Sequence, residues 1–266
     1  MEAVPESASR KVGLARALSK LGYCSRSHAT QLIRAGHVTL NGAPRKDPET
    51  PVQIERDRIA VEGQVIKAAD NVYLMMNKPR GLVTTASDEK GRDTVYTLFA
   101  DHEKSRPWLA PVGRLDKASE GLLLLTNDSE WGARITSPES RLPKTYHVQI
   151  ASIPPMEVLE SVERGIRADD GELLQAVRCR LLRSGGKNCW VEITLDEGKN
   201  RQIRRMLATL DLQVLRLVRV SIGQLQLGTL RKGAYRFLTS EEKTALDRAI
   251  NRSSSALRYK NSRLPT

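Results

Sequence analysis

The stretch that most constrains this chain runs over residues 113–128 and reads GRLDKASEGLLLLTND. Its second half contains a continuous apolar run, Leu122–Leu125, which is typical of a buried strand. In its first half a single acid, Asp116, lies between Arg114 and Lys117 on a turn bracketed by glycines. A carboxylate held on a rigid frame beside an arginine can act as a nucleophile or a base. The alternative interpretation is a turn with a surface ion pair that leads into a core strand.

The charge of the chain narrows the class of partner. Among its 266 residues, 43 are Lys or Arg and 31 are Asp or Glu, which gives a formal net charge of +12 and a pI near 9.8. Such an excess attracts polyanions, most often RNA or DNA. A membrane-surface protein is the competing class, but the sequence contains no convincing amphipathic helix with bulky apolar anchors. We therefore expect no membrane partner.

The cysteines and histidines argue against metal and disulfide chemistry. The three cysteines are scattered and odd in number, so we expect reduced thiols: Cys24, Cys179 and Cys189. The four histidines lack zinc-site spacing, and there is no phosphate-cradling GxxxxGK loop. The sequence also lacks a signal peptide and a run of transmembrane length. We expect a cytoplasmic protein with no metal and no cofactor.

The 113–128 stretch resembles the active-site motif of the pseudouridine synthases, specifically the RsuA, RluB, RluE and RluF branch that modifies ribosomal RNA. That branch carries G-R-L-D-x-x-[ST]-x-G-L-[LI]-[LI]-x-T-N-[DN], and every fixed position is met here. The resemblance implies an enzyme that breaks the N-glycosidic bond of a uridine, turns the uracil and rejoins it through carbon. It marks Asp116 as the catalytic carboxylate. Arg114 could support Asp116 or contact RNA, and its spacing leaves both possibilities open.

A second segment, residues 197–206, reads EGKNRQIRRM and resembles the motif E-G-[RK]-x-x-[QE]-[VIL]-[RK]-R-[ML] of the same family. The resemblance implies that Arg204 pairs with Asp116. The remaining cations of the segment are expected to lie on a helix and to contact RNA phosphates: Lys199, Arg201 and Arg205. The alternative is a solvated basic helix face without a function in binding.

Two shorter motifs complete the candidate site. Residues 144–146 match the K-x-Y of the family, which implies that the Tyr146 ring packs against the target base. Leu217 is a candidate for an apolar wall of the same pocket. Residues 77–81 match N-K-P-x-G, and the Pro and Gly of this turn predict two exposed, RNA-binding cations: Lys78 and Arg80. We expect the target uridine to be flipped out of its stack.

The front of the chain resembles the S4 RNA-binding domain. Residues 32–42 read LIRAGHVTLNG, close to the S4 pattern L-I-x-x-G-x-V-x-[VL]-N-G. Apolar spacing predicts helices over 12–21 and 27–35, followed by a strand over 38–40. Four cations on these helices are expected to contact RNA phosphates: Arg16, Lys20, Arg26 and Arg34. The alternative is an ordinary small α+β module with a solvated basic face.

The predicted fold class is α+β. A flexible N-terminus over 1–10 precedes an S4 domain of helix-helix-strand type over 11–68, and a basic tail, disordered in isolation, follows over 251–266. The resemblance implies a pseudouridine synthase domain over 72–250, with a mixed, largely antiparallel sheet and flanking helices. Pattern predicts helices over 153–165, 199–211 and 240–250.

The most favoured function is pseudouridine formation in ribosomal RNA by a monomer, on free RNA or on a ribosomal assembly intermediate. Residues 197–202 and 228–236 look most like RluE and RluB, which implies the large subunit, although RluE-type enzymes usually lack an S4 domain. The alternative is a non-catalytic ribosomal RNA-binding or assembly factor on the same scaffold. A basic nuclease would need an acid cluster for metal or a histidine pair, and the sequence shows neither.

Overall fold

The computed structural model of the chain describes residues 11–85, 90–99 and 107–261, and the side chains as far as residue 251. The predicted flexible N-terminus lies outside the described residues. The chain divides into two compact units. The smaller unit comprises 1–72, 101–110 and 126–129, and the larger unit comprises 73–100, 111–125 and 130–266.

The smaller unit packs two helices, α1 (Leu14–Lys20) and α2 (Arg26–Arg34), over short strands. Ser25 caps α2 by accepting a hydrogen bond from the backbone N–H of His28 at 3.1 Å. Leucines, alanines and β-branched side chains of both helices form a buried core with the strands. The strands are β1 (Val12–Gly13), β2 (Val38–Leu40), β3 (Ala43–Pro44), β4 (Pro51–Val52), β5 (Ile59–Val61) and β6 (Gln64–Val65). Four of them pair antiparallel in the order β3-β2-β5-β6.

The larger unit is built on a nine-stranded sheet whose central path runs β13-β14-β10-β15-β9-β7-β17. The nine strands of this sheet are β7 (Tyr73–Lys78), β8 (Ala110–Val112), β9 (Glu120–Thr126), β10 (Lys144–Ile150), β13 (Arg178–Ser184), β14 (Cys189–Leu195), β15 (Val214–Ile222), β16 (Leu225–Gln226) and β17 (Tyr235–Phe237). Two further strands, β11 (Ile166–Arg167) and β12 (Leu173–Leu174), pair with each other in a separate sheet. β15 pairs with β9 in parallel, while β10 pairs antiparallel with both β14 and β15. The predicted mixed, largely antiparallel sheet is confirmed.

Helices flank this sheet, but Lys199 and Arg201, which were expected to lie on one of them, precede it, and two other helices also differ from the prediction. The flanking helices are α3 (Ser129–Thr136), α4 (Met156–Arg164), α5 (Gln202–Thr209) and α6 (Ser240–Asn261). Helix α3 was not predicted, although it buries Trp131 and Ile135 at i, i+4 spacing. The end of the last helix at residue 250 was wrong, because α6 continues to Asn261 through a segment with no Gly or Pro to stop it. None of the described helices is long and apolar enough to cross a membrane.

The parallel contact between β9 and β15 explains one glycine of the 113–128 stretch. Gly121 lies opposite Arg219, and a Cβ atom at Gly121 would come within 2.2 Å of the Arg219 carbonyl oxygen. Gly121 also has a φ of +101°, a conformation that side-chain-bearing residues rarely adopt. The glycine therefore lets two core strands approach closely, directly after the turn that carries Asp116.

Candidate active site

The turn that carries Asp116 is held by hydrogen bonds from the segment that follows β7. The Thr84 hydroxyl donates to the Leu115 carbonyl at 2.8 Å and accepts from the Leu115 N–H at 3.3 Å. The Gly81 N–H donates to the Lys117 carbonyl at 2.8 Å. These bonds fix the backbone on both sides of Asp116, so the carboxylate projects from a rigid turn.

Lys78 is the main clamp on this turn. Its ammonium donates to the carbonyl oxygens of Pro79, Asp116 and Ser119 at 3.1, 3.2 and 2.9 Å. Burial lowers the pKa of Lys78 to about 8, although the negative charges of Asp116 and Glu120 oppose this effect. Three N–H donors meet three acceptors, so the ammonium has no donor left for a ligand.

The predicted RNA-binding role of Lys78 was therefore wrong. The turn at Pro79 does expose a cation, but that cation is Arg80 alone. Lys78 is the last residue of β7, and its side chain points into the interior, where it is 0% exposed. Strand alternation, rather than the turn, decides the direction of this side chain.

The cation nearest to the Asp116 carboxylate is Arg201, which corrects the expectation for Arg204. An Arg201 guanidinium nitrogen lies 3.5 Å from the Asp116 carboxylate, whose side chain is 37% exposed. Arg201 adopts a left-handed backbone with a φ of 46° immediately before α5. Such a conformation is costly for a residue with a Cβ, and residues held in it cluster at functional sites.

Arg204 lies one helical turn further on and binds the same turn by a different contact. Its guanidinium donates to the Ala118 carbonyl at 3.2 Å. Burial, followed by repulsion from Arg201, lowers the pKa of Arg204, while Asp116 opposes this effect. Arg204 is thus within electrostatic range of Asp116 without being its ion-pair partner.

The other two cations of the 199–205 segment are paired with carboxylates within the chain, and their binding of RNA phosphates stays a prediction. Arg205 donates to Asp170 at 2.5 Å and to Glu172 at 2.8 Å. The Lys199 ammonium lies 3.3 Å from Glu172 and donates to the Leu173 carbonyl at 2.9 Å. The carboxylates that Arg205 and Lys199 contact here, Asp170 and Glu172, lie about 30 residues earlier in the chain, which spacing alone does not reveal.

A cavity of about 460 Å³ opens beside Asp116, a volume typical of small-molecule sites. Its walls include Tyr146 from β10 and Leu217 from β15, the two residues predicted to contact the target base. Leu217 is buried, and the half-buried Tyr146 ring packs against the same apolar core. Arg114 is exposed at the cavity wall, and no described residue forms a hydrogen bond or ion pair with its side chain. The structure thus brings these residues and Arg201 around one cavity.

Several polar residues of the cavity wall were missed from the sequence, among them Gln202 and Lys144. Gln202 is 2% exposed and donates to Glu197 at 2.6 Å and to the Gln175 carbonyl at 3.0 Å, which orders the start of α5. Lys144 lines the cavity two residues before Tyr146, in the same K-x-Y motif. Because side chains alternate along a strand, Lys144 and Tyr146 lie on the same face of β10, and this signal was available in the sequence.

Glu120, the acid nearest to Asp116 in sequence after the turn, points to other partners. Its buried carboxylate accepts two hydrogen bonds from Arg216 at 3.1 Å and contacts Lys232 at 2.6 Å. Burial alone would raise the pKa of Glu120, but these cations hold it below its usual range. Glu120 therefore stabilises the sheet as an internal ion pair.

The cations predicted for RNA on the smaller unit lie on its two helices. Three are exposed: Arg16, Arg26 and Arg34. Lys20 is partly buried at the end of α1. In the described part of the chain, no group of three or more His, Cys, Asp or Glu residues could hold a metal ion.

Comparison with known proteins agrees with this arrangement. The family profile for RNA pseudouridylate synthases matches residues 72–209, and the S4 domain profile matches residues 12–59. Ribosomal large subunit pseudouridine synthase B of Bacillus subtilis is 36% identical over 232 residues, or 86% of this chain and 93% of that protein. The RNA pseudouridine synthase YtzG of the same organism is 33% identical over 230 residues, or 86% of this chain and 95% of that protein.

A solved structure gives the same result. The crystal structure of a pseudouridylate synthase superimposes with a TM-score of 0.62 at 32% identity and covers 88% of this chain and 99% of that one. Family profile, relatives and fold agree with the motifs around Asp116. The chain belongs to the RNA pseudouridine synthase family and carries an S4 domain ahead of its synthase domain.

Proposed function

We propose that this enzyme converts a specific uridine of ribosomal RNA into pseudouridine, with Asp116 as its catalytic carboxylate. The observation that carries the proposal is the position of Asp116, clamped through its turn and paired with Arg201, at a cavity with an aromatic and an aliphatic wall. A flipped pyrimidine ring can pack between such walls. The carboxylate then faces the sugar rather than the base.

The reaction needs few groups. The bond between N1 of uracil and C1′ of the ribose breaks, C5 becomes bonded to C1′, the C5 proton is lost, and N1 regains a proton. Asp116 either attacks the sugar carbon or removes a sugar proton, and both routes require its carboxylate to be oriented. Arg201 and the clamped turn supply that orientation.

The net charge of the chain and the names of its relatives both indicate the class of substrate. The net charge of +12 suits a long polyanion, and the exposed arginines of the smaller unit suit its phosphates. One of the relatives is named for the large ribosomal subunit, so we favour large-subunit RNA, free or in an assembly intermediate. We expect a monomer in the cytoplasm, where the three free cysteines would stay reduced.

Tritium release tests the proposal directly. Ribosomal RNAs of both subunits are transcribed with [5-³H]uridine, because pseudouridine formation expels the hydrogen at C5 into water. Wild type is expected to release about one equivalent per large-subunit transcript, whereas Asp116→Asn releases none and still binds the RNA. Asp169→Asn, at an exposed acid outside the cavity, serves as the matched control with wild-type release. Release by Asp116→Asn at the wild-type rate would overturn the assignment.

A further inference from the structure

Three polar side chains of the cavity wall lack the hydrogen-bond partners that their positions demand. Arg219 is 5% exposed, donates through Nε to the Leu122 carbonyl at 2.7 Å, and has a buried Nη2 without a partner among the described residues. Ser119 is 1% exposed, and its hydroxyl is similarly unpartnered. The Lys144 side chain is half-buried at the same wall, and its ammonium forms no hydrogen bond or ion pair with a described residue. Buried donors left unpaired are costly, so a ligand is expected to supply the acceptor.

These donors flank the predicted base-binding wall. Lys144 and Tyr146 are two residues apart on β10, and Arg219 lies directly opposite Tyr146 on β15. Leu217 precedes Arg219 by two residues and therefore shares its face of the sheet. The two cations thus border the patch on which a flat ring would rest, and a ring oxygen could reach them.

The charges around Lys144 do not neutralise it. Burial, followed by repulsion from Arg219, lowers the pKa of Lys144 to about 8, and only Asp196 opposes this effect. Asp196 is itself bound by Arg141 at 2.8 Å. The cavity acid Asp116 is paired with Arg201. The pocket therefore holds positive charge in excess at this wall before any RNA enters.

We propose that Lys144 and Arg219, assisted by the Ser119 hydroxyl, bind a carbonyl oxygen of the target uracil and stabilise the negative charge that forms on the ring. This inference rests on the proposed function. When the N1–C1′ bond breaks, its electron pair leaves with the ring and spreads onto the ring oxygens. That charge is present whichever way Asp116 acts, and donors aimed at developing charge in a buried site are a strong catalytic device.

The test separates the rate of the chemical step from RNA affinity. Full-length Lys144→Met, Lys144→Arg and Ser119→Ala are compared with wild type by single-turnover tritium release at saturating ribosomal RNA, and by dissociation constants for the same RNA. Lys187→Met, at an exposed lysine of the β13–β14 hairpin, is the matched control. Melting temperatures identify any variant that fails to fold. If Lys144→Met does not fold, the test relies on Lys144→Arg and Ser119→Ala.

We expect Lys144→Met to lower the saturating rate about 100-fold with little change in affinity, as for other lost donors to developing charge. Ser119→Ala should cost about tenfold, and Lys144→Arg should recover at least tenfold over Met because it keeps a charged donor. An unchanged rate in Lys144→Met would overturn the proposal. So would weaker RNA binding with an unchanged saturating rate, which would identify a backbone phosphate as the partner. Absence of release by wild type would instead refute the proposed function itself.

Discussion

Two regions of this enzyme are rich in cations, and they use them differently. On the helices of the smaller unit, three arginines are exposed: Arg16, Arg26 and Arg34. Around the Asp116 turn, most cations are bound within the chain, to carbonyl oxygens or to carboxylates: Lys78, Lys199, Arg201, Arg204 and Arg205. The first set can meet RNA from outside. The second set shapes a turn, and only a structure distinguishes the two.

Among substitutions around the Asp116 turn, the largest loss of rate is expected at Arg201. Replacement by Gln removes the charged partner of the Asp116 carboxylate, and we expect the single-turnover rate at saturating RNA to fall about 100-fold. Arg204→Gln removes a bond to the Ala118 carbonyl and a charge that is further from Asp116 than Arg201, so about tenfold is expected. A larger loss in Arg204→Gln than in Arg201→Gln would show that Arg204 is the working partner of Asp116.

Lys78→Met tests whether an internal clamp matters to folding as well as to rate. The change leaves three buried carbonyl oxygens without their donor, and we expect the free energy of unfolding to drop by about 3 kcal/mol. Urea unfolding of the whole chain measures this. Lys144→Met, which removes an ammonium without an internal acceptor, should leave stability close to wild type. Equal losses of unfolding free energy in Lys78→Met and Lys144→Met would contradict the distinction between a lysine bound within the chain and one that is not.

The pH dependence of Lys78 has opposite signs for activity and stability. As pH rises through about 8, the ammonium loses one of the three donors that hold the Asp116 turn, so the rate should fall. Between about pH 8 and the ordinary value of 10.5, the unfolded chain binds more protons at this lysine than the folded chain. Because the folded chain binds the Lys78 proton more weakly, stability rises with pH over that interval. Rate and unfolding profiles measured on the same samples check both signs.

Salt dependence sharpens the contrast at the exposed arginines. Each of Arg16→Gln, Arg26→Gln and Arg34→Gln should reduce the slope of log affinity against log salt by about 1 and leave the saturating rate unchanged. Filter binding of ribosomal RNA between low and physiological salt gives these slopes. If none of the three changes the slope, the smaller unit does not bind RNA through these helices.

The smallest effect is expected at Arg205, the matched arginine of the second region. Its guanidinium already serves Asp170 and Glu172, so Arg205→Gln should leave the salt slope unchanged and lower the melting temperature by a few degrees. Thermal unfolding and filter binding of this one variant measure both quantities. A reduced salt slope without a change in melting temperature would show that Arg205 contacts RNA phosphates.

The fold and the centre of the site could be predicted from the sequence, because both depend on local patterns. The apolar run after Asp116 predicts buried β9, and the helical spacing over 27–35 predicts α2. The motif resemblance predicts that Tyr146 lies at the same cavity as Asp116. Each of these signals lies within a few residues of the element that it predicts.

The rest depends on long-range partners. Lys78 binds carbonyl oxygens 38 and 41 residues away, and Arg205 binds carboxylates 33 and 35 residues earlier. A cation is therefore predicted to be free whenever its acceptor is distant in sequence. The length of α6 was missed for the opposite reason, since a polar segment without Gly or Pro can remain helical.

The most direct test of the account is pseudouridine mapping of both ribosomal RNAs in cells of the source organism that lack this chain. The deletion is complemented with wild type or with Asp116→Asn. We predict that one large-subunit site loses its modification and regains it only with wild type. Restoration of that site by Asp116→Asn, or an unchanged set of sites after deletion, would contradict the central claim that Asp116 of this chain modifies ribosomal RNA.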